Sequence, residues 1–105
     1  MEPVRFQTVE ENGQHVVHEI YKVVVHKFTI SDSDDPEIYA AEPIMEWQQS
    51  EAGKFVMSNA VTVPVFHKHL DFASLGYHYA ITAELEKKKY SEFLLRYGRH
   101  GNNKS

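Results

Sequence analysis

The chain has no cysteine, which removes disulfides, thiolate–zinc centres and a cysteine nucleophile in one step. Long apolar runs are missing as well. The longest is Ile38-Tyr39-Ala40-Ala41, against the roughly 20 residues that a membrane-crossing helix needs. The opening Met1-Glu2-Pro3-Val4-Arg5 has neither the basic start nor the apolar stretch of a signal peptide. These absences predict a cytoplasmic protein. No phosphate-cradling glycine loop and no dinucleotide fingerprint occur. The acidic Asp32-x-Asp34-Asp35 stretch fails as a calcium loop, because Pro36, Glu37 and Pro43 stand where that loop needs a ligand, a glycine and the bidentate Glu. His67-Lys68-His69 lacks the hydroxyl residue of a His-x-Thr phosphoesterase pair.

What remains is 105 residues, 42% of them hydrophobic, with six Phe, six Tyr and one Trp. That is enough apolar volume for one packed domain and too little chain for two with a cleft between them. The net charge of −4 is unevenly spread. Residues 1–51 hold eleven acids against three bases, whereas residues 87–105 hold six bases against Glu92 alone. An acidic front and a basic rear can steer a partner or pair a second copy head to tail.

Val4 to Glu10 alternates weakly as a strand, and Asn12-Gly13 is a strong hairpin-turn signal. Val16 to Ile30 is β-branched and aromatic on both faces and predicts the central strand. Asp35-Pro36 suits a helix start. Pro43 then predicts a short helical turn followed by a main helix over 42–59, with Gly53 marking close backbone packing or a bend. Three β-like segments follow over 61–72, 77–85 and 90–97, the last also matching a helical face through Tyr90, Phe93, Leu94 and Tyr97. The expected fold is α+β: an antiparallel sheet of four to five strands with one main helix on one face, in the order β-β-α-β-β-β. Residues 1–97 make the domain and 98–105 a disordered basic tail.

Seven histidines invite a metal site. His67, His69 and Asp71 alternate along one expected strand, and a loop over 73–76 pairs Asp71 with His78. The four then share the outer sheet face, and imidazoles with a carboxylate are donors for zinc or iron. Polar filling of an outer face explains the same residues without a metal. For nucleic acid, Tyr90, Tyr97, Arg96, Arg99 and Lys87 to Lys89 supply rings and positive charge; the acidity of the whole chain argues against it.

The segment Glu46-Trp47-Gln48-Gln49-Ser50-Glu51-Ala52-Gly53-Lys54-Phe55-Val56, with Asp71-x-x-x-x-Gly76-Tyr77 and Ile81-Thr82-Ala83, resembles small proteins of tailed bacteriophages to which no activity is assigned. The resemblance spans roughly residues 21–98. It implies a viral protein in a bacterial host cell, working on a host or virion protein. Trp47 is the first residue to consider as an interface anchor, since tryptophans often dominate binding energy, with a core position as the other reading. The functional expectation is a non-enzymatic protein-binding or assembly module that acts through a protein partner or as a homo-oligomer. The alternative is a zinc- or iron-binding protein built on the outer-face His/Asp cluster, with or without hydrolytic activity.

Overall fold

Strand β1 (Arg5–Glu11) turns at Asn12-Gly13 into β2 (Gln14–Ile30). Both turn residues have positive φ, 54° and 79°, the geometry a two-residue hairpin of matching twist requires. The computed structural model describes residues 2–31 and 35–98; the expected tail beyond Gly98 and the Asp32 to Asp34 stretch lie outside the described residues. β2 is long enough to serve two neighbours. Its first half, up to Ile20, pairs with β1, and its second half, from Ile20 to Ile30, pairs with β4 (Gly76–Glu86). β3 (Val65–Asp71) closes the other side, giving the antiparallel order β1-β2-β4-β3. The distal part of the β1–β2 hairpin therefore projects, and the molecule measures 54 × 28 × 26 Å.

The helical region departs from expectation in where it breaks. Helix α1 runs Pro36–Gln49, straight through Pro43, and α2 runs Glu51–Asn59. A proline costs the helix one hydrogen bond, but Pro43 only removes the donor that would have met the Tyr39 carbonyl. The break falls at Ser50, whose backbone is extended (φ −72°, ψ 164°). The Ser50 hydroxyl donates to the Trp47 carbonyl (2.6 Å) and accepts from the Gly53 amide (3.0 Å), ending one helix and capping the next. Gly53 marks close backbone packing, one of the two roles its position predicts: a Cβ there would stand 1.7 Å from the Trp47 carbonyl oxygen.

Two further expectations are corrected. The β3–β4 register pairs Asp71 with Gly76 and His69 with His78, not Asp71 with His78. The shift is by an even number of residues, so every side chain keeps its face. The Asp71 carboxylate holds the turn by accepting from the Ala73 amide (3.1 Å) and the Ser74 hydroxyl (2.9 Å), and Leu75 takes a left-handed φ of 62°. The third strand of the expected meander is a helix: α3 (Lys87–Phe93) continues into a π-helical turn, Leu94–Gly98. Glu86 caps it by accepting from the Lys89 amide. The helical spacing of Tyr90, Phe93 and Tyr97 wins because each ring finds an aromatic partner: Tyr90 stacks on Tyr21 at 4.8 Å, and Phe93 and Tyr97 both meet Phe55. Among the described residues the sheet thus has four strands, and the order is β-β-α-α-β-β-α.

The three α-helices of the described residues lie on one face of the sheet. Alternate residues of β4, namely Tyr79, Ile81, Ala83 and Leu85, point into the core and meet Trp47, Val56 and Phe93. Truncating a fully buried member such as Leu85 to Ala costs about 2–5 kcal/mol. The Gly53→Ala substitution is expected to cost about 3 kcal/mol, since overpacking against backbone cannot be relieved by a side-chain rotation. Ser50→Ala, which removes the hydroxyl's two hydrogen bonds but introduces no clash, is expected to cost about 1 kcal/mol. Urea unfolding of the two variants measures the difference.

Candidate functional site: the open edge of β2

Beyond Ile20, β2 has a neighbour on one side only among the described residues. Two hydrogen bonds establish which backbone groups face the empty side. The Val4 amide donates to the Ile20 carbonyl (2.7 Å), so Ile20 points toward β1. The Val61 amide donates to the Glu84 carbonyl (2.8 Å), so Glu84, and Lys22 opposite it, direct their backbone groups away from the β2–β4 ladder. Alternation extends the open row from Ile20 to Lys22 and Val24. The register then shifts by one residue at Val25, between Val24 and His26. That bulge moves the open row to Lys27 and Thr29. Backbone donors and acceptors of this kind are a template for a further strand.

A groove runs beside the edge. Two clefts of about 730 and 750 Å³ adjoin it and share Pro43 and Glu46. The first lies between Thr29 to Ser31 and α1. The second lies at the bulge and is walled by Phe28, Trp47, Phe93 and Tyr97. Along α1, Tyr39, Glu42, Pro43 and Glu46 follow at intervals of three, one and three, which sets them on one helical face opposite the strand edge. The far end of the second cleft is the π-helical turn at Gly98. Bulges and π-helical turns are both over-represented at functional sites.

Charge in the groove is one-sided along α1. Glu42 and Glu46 are exposed, and neither makes an ion pair or side-chain hydrogen bond with the described residues. Lys27, on the edge strand itself, sits opposite Ala80 and so projects from the outer face of the sheet. His26 is flanked by Trp47 (ring centroids 6.0 Å, 20° between planes) and Phe28 (5.8 Å). Burial among these rings pushes its pKa below the usual 6.5. The Trp47 indole N–H is buried without an acceptor among the described residues.

Trp47 is 4% exposed and belongs to the core, where its side chain floors the second cleft rather than standing on the surface. The histidine cluster is on the outer face as its alternation predicts, but it is held in pairs. His67 shares a hydrogen bond with Thr82 (3.0 Å), His78 lies 3.3 Å from the Asp71 carboxylate, and His69 sits opposite His78. Ser74, the Ala73 amide and His78 together hold the Asp71 carboxyl below its usual range. Among the described residues no three His, Asp or Glu groups are arranged to hold a metal ion. Nor is any helix long and apolar enough to cross a membrane. The open edge and its groove had no sequence motif to announce them; the one available signal was that β2 is ten residues longer than β1. No family model, curated protein or solved structure matches the chain.

The groove histidine makes stability pH-dependent. Because the folded pKa of His26 lies below its unfolded value of 6.5, the unfolded chain takes up the proton first as pH falls. Its neutral form therefore supports the fold fully above pH 6.5, and that support is lost as pH drops below it. His18 works in the opposite sense: hydrogen bonding to Glu11 raises its pKa, so its contribution is complete below 6.5 and fades as pH rises through the raised value. Comparing the parent protein with His26→Gln isolates the first effect. In urea titrations between pH 5 and 8, the parent should lose more stability than the variant on the acid side of 6.5.

Proposed function

We propose that the protein is a non-enzymatic binding module that takes up an extended segment of another polypeptide as an added strand along Lys27–Ser31. The observation that carries this reading is the open backbone row of β2, Lys27 and Thr29, facing a groove whose opposite wall is α1. Main-chain pairing supplies affinity in strand addition, and pockets beside the edge select alternate side chains. The second cleft falls within the 300–1,000 Å³ typical of sites that hold such groups. The likeness of Glu46 to Val56 and Ile81 to Ala83 to small bacteriophage proteins extends the proposal: the segment belongs to a host or virion protein in a bacterial cytoplasm.

Proline at Thr29 tests this directly. The Thr29 amide faces the open side, so a proline there removes a donor from the free edge while leaving the β4 ladder intact. Short linear peptides selected on the parent protein should lose binding to a folded Thr29→Pro variant. In the parent, the Lys27 and Thr29 amides should become protected from hydrogen exchange when the peptide is bound. Peptides that bind both proteins equally, or a selection that enriches none, would end the strand-addition reading.

A further inference from the structure

The edge accepts any extended backbone, so selectivity has to come from the groove wall. Three features of that wall are acceptors. Glu42 and Glu46 each present a carboxylate with no cation beside it among the described residues, and Pro43 leaves the Tyr39 carbonyl without its helical donor. The chain's own lysines at 87–89 and Arg96 lie on α3 and the π-helical turn, with Lys89 and Arg96 both paired to Glu92. At the bulge end, the wall changes character to aromatic, with Phe28, Trp47, Phe93 and Tyr97 around the cleft.

Resting on the strand-addition reading, we propose that the segment bound turns basic and large apolar side chains toward the groove from alternate positions, so that they share one face of the added strand. It carries Lys or Arg opposite Glu42 and Glu46, and one large apolar side chain seated in the cleft beside Trp47. A second copy of this chain fits less well as the occupant. The free edge of β1 and its hairpin arm carry Glu10, Glu11 and Glu19, which would set acid against the acidic α1 wall, and the other free edge, β3, has its one lysine, Lys68, already paired with Glu37. Two copies joined edge to edge through β2 would bring their own Glu42 and Glu46 to the same junction.

The test uses three fluorescein-labelled hexapeptides with the same Thr and Phe residues: Lys-Thr-Lys-Thr-Phe-Thr, whose two lysines and Phe share one face of a strand, and the counterparts in which both lysines are Gln or Glu. Anisotropy at low salt should place the Lys peptide tightest, about fivefold tighter than the Gln peptide for two exposed charge pairs, with the Glu peptide weakest. In the Glu42→Gln/Glu46→Gln double variant the Lys-over-Gln preference should fall to near parity, whereas Glu10→Gln/Glu11→Gln on the arm should leave it unchanged. Trp47 is the single tryptophan, so its indole N–H signal in a nitrogen–proton correlation spectrum is unambiguous and should shift with the Phe-containing peptides. Equal binding of the three peptides, or a preference that survives the double variant, overturns the charge assignment while Thr29→Pro sensitivity keeps strand addition standing. An indole signal that stays fixed at saturation overturns the apolar anchor. Binding that is indifferent to Thr29→Pro, or no binding at all, removes both.

Discussion

The helical layer depends on one contact, the approach of Gly53 to the Trp47 carbonyl. A Cβ at that position would overlap the carbonyl oxygen at 1.7 Å, so only glycine lets α2 fold back so closely on the end of α1. Ser50 converts the same corner into hydrogen bonds at both ends. The corner lets one short stretch of chain serve two purposes. It delivers Trp47, Phe55 and Val56 to the core, and it leaves the Tyr39–Glu46 face of α1 opposite the strand edge. The groove is thus a consequence of how the core closes.

The sheet itself is unevenly finished. β3 and β4 make a hairpin whose turn is clamped by Asp71, and β1 covers β2 only as far as Ile20. A bare strand edge is a hazard that proteins usually blunt with lysine, proline or a bulge. Here the lysines at 22 and 27 project from the outer face, and the bulge at Val25 divides the open row without covering it. The groove beside this edge is lined by carboxylates along α1 and by aromatic rings at its bulge end.

Parts of this were legible in the residues. Asn12-Gly13 marks the hairpin because two successive positive φ values are cheap for those residues and few others. Asp35-Pro36 marks a helix start, and the alternation from Tyr77 to Leu85 marks a half-buried strand. The shared face of His67, His69, Asp71 and His78 was readable too, since side-chain period is two regardless of small even shifts in register. The break at Ser50 was misplaced to Pro43 because proline is the stronger local breaker, yet its cost is a single hydrogen bond that α1 can forgo. Residues 90–97 carry β-compatible aromatics, and nothing local reveals that Tyr21 and Phe55 await them as stacking partners.

Composition and pattern alone determined the class of the fold: α+β, with an antiparallel sheet and a helical layer, and no cysteine to supply thiol chemistry. These follow from short-range rules, periodicity and turn chemistry, which act within a few residues. Only the tertiary structure decided that β2 outruns β1, that Trp47 floors a cleft, and that Glu42 and Glu46 face the exposed edge. Those are relations between segments far apart in the chain, set by strand register and the Gly53 corner. Neither leaves a mark that any single stretch of sequence carries.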